Sequence, residues 1–390
     1  MIQKEIGYSY NDLTIVPAVF SCVEHRSECN PFYKDGMLPL FTAPMSCIVD
    51  ETNFELWEAN KINAIIPRTV KYETRMKFLS DSKWTAFSLD EFKKLFVEDN
   101  KDIEASTGHF KVCIDLANGH MKKLYDLIKT AKMKMQKFNY VLEIMTGNIA
   151  NFRTYENIVR WRIPVDYIRL SIGSGNGCLT SSNTGVHYPI ASLIDQCRIV
   201  KSQAQYQHTF YPKIIADGGI RNFNDINIAL ALGADYVMIG SVFAGIIESS
   251  AKLYYERGVD RNEAQWIEVE YMKNHGNDQS YPIEVDRVLR AMIARCEGRL
   301  SKKFYGMSTR QAQEEINAAL ESPKQNLEKK TSEGVAKYVK CQYTMKQWTE
   351  NFIDYLRSAM SYTNAKTVEE FVKNTELVIN SPKAIDSVNK

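Results

Sequence analysis

The chain has 390 residues, of which 44% are hydrophobic and 25% charged, and its formal net charge is +2. This composition is typical of a globular protein with a large core, and it excludes a disordered chain or a membrane protein built of apolar helices. The small net charge gives no reason to expect nucleic acid or an anionic membrane as a partner. The length suits one large α/β barrel or two medium domains.

The N-terminus and the cysteines bear on where the protein resides. Residues 1–14 carry charges where a secretion signal would be apolar, and no later run is long and apolar enough to span a bilayer. The eight cysteines form no C-x-x-C pair and no cluster with zinc-ligand spacing, so free thiols are expected. We therefore expect a cytoplasmic protein.

Short apolar runs alternate with helical patterns along most of the chain. Eight apolar runs predict strands, at residues 38–44, 63–67, 84–87, 110–116, 139–145, 167–172, 213–216 and 236–239. The segments between them predict helices, at residues 51–59, 90–97, 121–132, 155–161, 189–204 and 223–232. Parallel strands need crossover helices, so the alternation predicts a parallel sheet. Eight repeats favour a closed (β/α)₈ barrel, and a doubly wound open sheet is the alternative.

Polar residues and glycines follow several of these strands. They occur at residues 115–119, 146–148, 171–178, 217–219 and 240–241. In a barrel the carboxyl ends of all strands face one mouth, where active sites lie. The sequence therefore predicts an active site at this mouth.

Cys178 lies in a glycine-dense loop after one predicted strand. Gly173, Gly175 and Gly177 allow backbone N–H groups to approach an anion closely. A thiol in such an electropositive loop favours its thiolate form, which is the nucleophile. A surface loop with a buried, inert cysteine fits this stretch alone equally well.

The last two predicted strands end in glycine turns that suit a phosphate. In many (β/α)₈ enzymes the last two loops bind phosphate through backbone N–H groups and a short helix N-terminus. Gly218, Gly219, Gly240 and Ser241 supply such groups here, and Asp217 can accept hydrogen bonds from ribose hydroxyls.

Two segments break the strand–helix pattern. Residues of about 247–303 form a long polar insertion with helical periodicity at 283–295. Residues of about 305–343 are rich in Lys, Glu, Gln and Ser, which indicates a flap or lid, or alternatively a solvated surface excursion. We expect a single catalytic barrel domain over residues 1–390 that carries both segments.

Several motifs, in order along the chain, resemble the IMP dehydrogenase and GMP reductase family. They are LTIVPA near the start, LPLFTAPM at the first strand, the Cys178 loop, ADGGI, GADYVMIGS and Tyr-Gly-Met-Ser in the flap. The resemblance runs from about residue 13 to 378 and is specific, because it combines this cysteine loop with that flap start. It implies a purine nucleoside monophosphate as substrate and a homotetramer.

Within the family the motifs are closest to those of the reductase, which uses NADPH to convert GMP to IMP and ammonia. Asn118 stands where dehydrogenases usually carry His or Gln, and the flap lacks their water-activating Arg-Tyr pair. The span between Arg68 and Lys111 is too short for the regulatory CBS-type module of many dehydrogenases.

The resemblance also assigns roles to residues. Cys178 attacks C2 of the purine to form a thioimidate, while Thr180 and Glu333 relay protons to the leaving amine. Substrate contacts are expected from residues of the cysteine loop, the last two strand ends and the flap: Asn176, Asp217, Gly218, Gly219, Gly240, Ser241, Gly306, Met307 and Ser308. Cofactor contacts are expected from Arg26, Arg68, Asp115, Leu116, Ala117, Asn118, Lys330, Ser358 and Ser361, the last two toward a neighbouring subunit. A potassium ion is expected at Gly173, Gly175 and Cys178.

The chain also departs from the family pattern. Ser174 and Asn176 replace the usual Pro and the phosphate-binding Ser, and Ser181 replaces a larger basic residue. These changes leave open GMP, a deoxynucleotide or another modified purine nucleotide as substrate. The alternative functions are an IMP dehydrogenase without its regulatory module, a non-catalytic purine-nucleotide-binding protein and a flavin-dependent barrel.

Overall fold

The computed structural model describes residues 6–98, 108–175, 179–257, 265–268, 283–296, 298–323 and 334–381. The strands are β1 (Leu13–Val16), β2 (Leu40–Thr42), β3 (Thr85–Phe87), β4 (His109–Ile114), β5 (Val141–Ile149), β6 (Tyr167–Leu170), β7 (Lys213–Asp217), β8 (Tyr236–Ile239), β9 (Leu253–Arg257), β10 (Gln265–Glu268), β11 (Leu300–Tyr305), β12 (Ala336–Lys340) and β13 (Glu376–Ile379). The helices are α1 (Phe54–Ala59), α2 (Tyr72–Ser80), α3 (Leu89–Lys93), α4 (Lys122–Lys137), α5 (Phe152–Arg160), α6 (Thr180–Thr184), α7 (Ile190–Tyr206), α8 (Phe223–Ala231), α9 (Ser241–Ala244), α10 (Ile283–Arg295), α11 (Arg310–Ala318), α12 (Met345–Tyr362) and α13 (Val368–Asn374). Short 3₁₀ turns lie at Tyr10–Asp12 and Arg26–Glu28, and a π-helical turn at Lys94–Glu98.

Parallel strands form the wall of a barrel. Seven of them pair in the order β2-β8-β7-β6-β5-β4-β3 within the described part of the chain. The wall between β2 and β3 is completed by two isolated parallel bridges, Phe41 with Asn63 and Thr85 with Ile66. The (β/α)₈ barrel predicted from the alternation of strands and helices is therefore confirmed.

The strand predicted at residues 63–67 is the weakest part of this wall. The Ile65 N–H donates to the Thr42 hydroxyl at 3.0 Å, so it does not join a ladder of backbone bonds. Pro67 has no N–H with which a ladder could continue. For these reasons the predicted strand at residues 63–67 forms only the two bridges, although it lies at the expected position in the wall.

Aromatic rings fill the barrel near the starts of its strands. Phe41, Trp84, Tyr167 and Tyr236 pack edge-to-face with ring centroids 5.0–6.0 Å apart. The Lys213 ammonium lies 5.2 and 5.4 Å from two of these rings, in cation–π geometry. This packing closes the amino-terminal end of the barrel and leaves the carboxyl ends of the strands for the site.

Some predicted boundaries shift. Helix α4 extends five residues beyond the predicted end, and α5 begins at Phe152 because the Asn151 side chain accepts the Arg153 N–H at 3.0 Å and caps it. Strand β5 continues through residues 146–148, which were predicted to follow it, with a register shift between Gly147 and Ile149. This extension brings polar residues of β5 into the wall at the mouth.

The predicted insertion and flap share one antiparallel sheet, in the order β10-β9-β11-β12. The helix predicted at residues 283–295 is confirmed as α10. A small second core lies beneath this sheet and contains Ile247, Leu253, Leu289, Leu300 and Cys341. From the sequence the insertion and the flap were predicted as two separate segments, because pairing between distant strands does not change the local periodicity. The division into a single domain stays a prediction.

The two ends of the described chain meet on the barrel surface. Strand β1 pairs with β13 in antiparallel register, from Leu13 opposite Ile379 to Val16 opposite Glu376. Among the described helices, none combines the length and the apolar character that crossing a bilayer requires.

Candidate active site

Five side chains of alternating charge and polarity lie at the mouth of the barrel. Arg169 in β6 donates from Nε to Asp217 Oδ2 at 2.9 Å and from Nη1 to Asp115 Oδ1 at 3.2 Å. Arg68 donates from Nη1 to the Asp115 carbonyl oxygen at 3.2 Å, and Asn148 Nδ2 donates to Asp217 Oδ2 at 2.7 Å. We call these five residues the mouth network. It fixes the orientation of two carboxylates that the sequence assigns to the site.

Arg169 is the buried centre of this network, with a residue exposure of 7%. Burial by itself would lower the pKa of its guanidinium, but the neighbouring Asp217, Cys113 and Asp115 together raise that pKa above the usual value. The guanidinium therefore stays charged, and it compensates both carboxylates where water cannot.

The turn after β7 approaches the cysteine loop very closely. Gly218 has φ +107°, and a Cβ there would lie 2.5 Å from Ser174 Oγ. Gly219 has φ +76°, and a Cβ there would lie 3.4 Å from the Tyr10 ring. A larger residue at Gly218 would therefore meet both backbone strain and a collision. The Ser174 hydroxyl is itself hydrogen-bonded to the Ser171 hydroxyl.

The predicted nucleophile Cys178 and the predicted phosphate contact Asn176 lie outside the described residues. The residues on either side are described: Ser171 N–H donates to the Ile149 carbonyl at 2.8 Å, at the end of β5. Thr180, the predicted proton relay, begins α6. The chain therefore enters the Cys178 loop at the mouth of the barrel and leaves it at the start of α6.

Two of the three residues predicted to bind potassium, Gly173 and Gly175, are among the described residues of this loop. The Gly173 carbonyl accepts a hydrogen bond from Ser181 Oγ at 2.9 Å, while a Cβ built on Gly175 would meet no described atom within 4 Å. Within the described ranges no group of three or more His, Cys, Asp or Glu side chains gathers as a metal site.

The predicted phosphate residues after β8 also lie at the mouth. Gly240 precedes α9, which begins at Ser241, and a Cβ on Gly240 would lie 3.8 Å from Met45 Sδ. The β2 and β8 ends are thereby in contact.

The start and the return of the flap are adjacent. Gly306, Met307 and Ser308 follow β11, and Gly334 precedes β12, which pairs with β11. A Cβ on Gly334 would lie 3.0 Å from Ser308 Oγ. The predicted proton relay Glu333 lies outside the described residues. The fold therefore brings the first residues of the flap close to Gly334, where β12 is about to begin.

The predicted cofactor residues fall into two groups. Leu116, Ala117 and Asn118 follow Asp115 at the mouth, where Asn118 Oδ1 accepts the His120 N–H at 3.0 Å. Arg68 belongs to the mouth network.

The second group lies on the surface of α12. Arg26 Nη1 donates to Ser358 Oγ at 3.4 Å and its Nη2 lies 3.4 Å from Asp354 Oδ2. Ser361 Oγ donates to the Ser358 carbonyl at 2.8 Å. In the part of the chain that the structure describes, no hydrogen bond or ion pair joins this group to the mouth network. Lys330 lies outside the described residues.

Sequence reasoning missed Arg169 and did not assign Asn148 a role. The signal for Arg169 is a charged residue in the middle of Tyr167–Leu170, a strand whose residues are all buried. A buried cation requires a carboxylate partner, so its position predicts an ion pair. Asn148 carries no comparable signal, because its partner Asp217 lies 69 positions away.

Known proteins resemble this chain along much of its length. The GMP reductase of Onchocerca volvulus is 27% identical over 267 residues, 68% of this chain and 57% of that protein. The inosine-5'-monophosphate dehydrogenase of Chlorobaculum parvum is 29% identical over 273 residues, 68% of this chain and 44% of that protein. The GMP reductase of Caenorhabditis elegans is 25% identical over 267 residues, 68% of this chain and 58% of that protein. The chain thus spans about half the length of these relatives.

A family model also matches this chain. The model of the IMP dehydrogenase / GMP reductase domain matches residues 100–287 and 290–388. These ranges include the carboxyl ends of β4 to β8 and the described flap residues. The chain therefore belongs to the IMP dehydrogenase / GMP reductase family.

Proposed function

We propose that this protein is a GMP reductase-type oxidoreductase that uses NADPH to convert GMP, or a related purine nucleotide, to IMP and ammonia. The observation that carries the proposal is the mouth network, which fixes Asp217 beside the Gly218–Gly219 turn and the flanks of the Cys178 loop. This arrangement supplies a carboxylate and backbone N–H groups where a nucleotide would meet a cysteine.

Binding follows from the residues at the mouth. Asp217 is held by Arg169 and Asn148 through one oxygen, Oδ2, and within the described residues no hydrogen bond reaches Oδ1, which would accept ribose hydroxyls. The N–H groups of Gly218, Gly219, Gly240 and Ser241 would hold the phosphate, with Asn176 contributing from the cysteine loop. Gly306, Met307 and Ser308 would cover the base.

The reaction requires one nucleophile and one proton relay. The Cys178 thiolate adds to C2 of the guanine, and Thr180 and Glu333 deliver a proton to the exocyclic amine, which leaves as ammonia when the C2–N bond breaks. A thioimidate on Cys178 remains. When bound, NADPH supplies the hydride that reduces C2. Cys178 Sγ then leaves with the electrons of the C–S bond, which regenerates the thiolate and releases IMP.

The described residues fit a nicotinamide dinucleotide at two places. At the mouth, Asp115 carries a carboxylate fixed by Arg68 and Arg169, which suits a ribose hydroxyl. On α12, an exposed guanidinium from Arg26 and the Ser358 and Ser361 hydroxyls suit a phosphate. Because these places are not linked within one chain, we propose that the second serves a neighbouring subunit of a homotetramer. Lys330 would add a contact from the flap.

We also propose that a potassium ion assists through the carbonyls of Gly173 and Gly175 with Cys178. The Gly173 carbonyl also accepts a hydrogen bond from Ser181 Oγ. The proposed role of the ion is to order the loop. Removing potassium in favour of sodium should lower turnover and leave the mass of the protein adduct unchanged.

The test begins with the nicotinamide absorbance. GMP with NADPH should lower the absorbance, and intact-protein mass spectrometry of a stopped reaction should find an adduct on Cys178. Cys178→Ala should lose both signals and retain nucleotide binding. If the wild-type protein binds GMP but never turns over and never forms the adduct, it is the non-catalytic binding protein instead.

A dehydrogenase is the second candidate, because relatives with that name match equally well. It predicts that IMP with NAD raises the absorbance and that GMP with NADPH does nothing. Asn118 and the absence of the water-activating Arg-Tyr pair from the flap sequence favour the reductase.

A further inference from the structure

Four side chains form a cluster that joins the start of the flap to the barrel. Glu315 in α11 accepts hydrogen bonds from Tyr305 Oη at Oε1 (2.8 Å) and from Ser46 Oγ at Oε2 (2.7 Å). Gln311 Nε2 also donates to Glu315 Oε1 at 3.1 Å, and the Tyr305 and Ser46 hydroxyl oxygens lie 3.0 Å apart. We call this cluster the clasp. Glu315 is its centre, because both of its oxygens accept hydroxyl protons.

The clasp connects three separate parts of the fold. Ser46 lies in the loop after β2, Tyr305 ends β11 and Glu315 belongs to α11. Tyr305 is buried, and burial raises the pKa of its phenol, so the hydroxyl remains a donor at neutral pH. The Tyr305 carbonyl oxygen in turn accepts the Cys47 thiol, with Sγ at 3.7 Å. Tyr305 is thus held through its side chain and its backbone.

The neighbours of the clasp in sequence are site residues. Gly306, Met307 and Ser308 follow Tyr305 directly, and Met45, which approaches Gly240, precedes Ser46. A cavity of about 260 Å³ is lined by all four clasp residues, with Thr69 and Lys303 among its other lining residues. On that side the clasp therefore borders a polar cavity.

The far end of α11 is attached independently. Tyr72 N–H donates to the Ala319 carbonyl at 3.0 Å, and Lys94 Nζ lies 2.7 Å from Glu321 Oε2. Gln313 Nε2 donates to the Met307 carbonyl at 2.6 Å and ties the flap start to α11. Loss of Glu315 should therefore release the flap start from the loop after β2 without detaching the helix.

We propose that Glu315 is a positioning residue for the nucleotide site. Through Tyr305 and Ser46 it holds Gly306, Met307 and Ser308 over the mouth of the barrel, and it acts on the bound purine only through them. The inference rests on the proposed function in one respect, that these three residues cover the base.

The variants are Glu315→Ala, Glu315→Gln and, as a matched control, Glu314→Ala. Glu314 is the preceding residue of the same helix, and its exposed carboxylate pairs with Arg310 at 2.9 Å. Hydrogen exchange of the amides at residues 306–309 is measured without ligand, and GMP affinity by calorimetry without NADPH. Glu315→Ala should speed that exchange at least about tenfold and weaken GMP binding about tenfold, while its melting temperature stays near that of Glu314→Ala. Glu315→Gln should recover most of both losses, because its amide oxygen still accepts one hydroxyl proton.

Equal exchange and equal GMP affinity in Glu315→Ala and Glu314→Ala would overturn the inference. So would a Glu315→Ala loss that Glu315→Gln fails to recover and that accompanies a lower melting temperature, since that is a purely structural role. A wild-type protein that binds GMP without turnover overturns only the proposed reaction. A wild-type protein that binds neither GMP nor IMP overturns both the proposed function and the inference.

Discussion

The mouth network and the clasp both hold site residues, but they do so by different means. Arg169 in β6 joins Asp217 of the neighbouring β7 to Asp115, which follows β4 two strands away in the same sheet, so backbone ladders already set the spacing. Glu315 in α11 joins two hydroxyls, those of Ser46 after β2 and of Tyr305 at the end of β11, and no backbone ladder links these elements at that point. The carboxylates of the mouth are therefore fixed by the fold, whereas the flap start depends on a few side chains.

The difference in charge points the same way. The mouth network joins two carboxylates to a buried cation, Arg169, and to a second cation, Arg68, so the loss of Arg169 leaves Asp217 uncompensated among the described residues. The clasp encloses one carboxylate with neutral donors beside a cavity, so the loss of one member leaves groups that water can reach. Substitutions in the mouth network should therefore lower both stability and activity, whereas substitutions in the clasp should lower mainly activity.

The largest effect should come from the centre of the mouth network. Arg169→Met removes the guanidinium that Asp217 shares with Asp115, and of the two carboxylates only Asp115 keeps a second cation within the described chain, Arg68, so the free energy of unfolding should fall by about 3–5 kcal/mol. Catalytic efficiency should fall by more than about 100-fold, because Asp217 loses its fixed orientation. Urea unfolding and steady-state rates measure the two losses.

Arg198→Met is the control for this change. Arg198 pairs with Asp195 at 2.8 Å on the exposed face of α7, and exposed pairs contribute only about 0–1 kcal/mol. An Arg169→Met protein as stable as Arg198→Met would contradict the role of charge compensation at the mouth.

A smaller effect should come from Gly218→Ala, which tests the close approach of the β7 turn to the cysteine loop. The new Cβ would lie 2.5 Å from Ser174 Oγ at φ +107°, so the turn must shift and nucleotide affinity should fall about 10-fold to 30-fold. Gly36→Ala is the control, since Gly36 has φ +77° with nothing near its Cβ position. Similar GMP affinity in the two variants would show that the contact with Ser174 does not matter.

A third effect concerns the inserted sheet and its pH dependence. Lys302 in β11 is buried with its Nζ 2.6 Å from the Ser249 carbonyl, and burial lowers its pKa to about 8. The ordinary lysine pKa is about 10.4, so between these values the unfolded chain binds more protons than the folded one and the free energy of unfolding rises with pH. The rise should be on the order of 3 kcal/mol over that window.

Lys302→Met cannot titrate and should lack that rise. Urea unfolding at about pH 8, 9 and 10 compares it with the wild type and with Lys303→Met, the next residue along β11, whose ammonium reaches Gln311 at 2.9 Å. Parallel pH profiles for the wild type and Lys302→Met would contradict the assignment to this lysine.

Much of the barrel could be predicted from local pattern. The apolar runs at residues 214–216 and Tyr236–Ile239 are buried in strands because side chains of a strand between two covered faces must be apolar. The polar and glycine residues after them predict the mouth because parallel strands end at one edge. The prediction over residues 63–67 overestimated pairing, since the Thr42 hydroxyl and Pro67 interrupt the ladder.

The sequence by itself determined the barrel, the mouth and the family motifs, because these depend on periodicity and on residues close together in the chain. Only the tertiary structure decided that Arg169 joins Asp115 to Asp217, that the insertion and flap share one sheet, and that Ser46, Tyr305 and Glu315 meet. Those contacts join residues tens to hundreds of positions apart. They exist because packing brings elements together, and no local pattern records which elements meet.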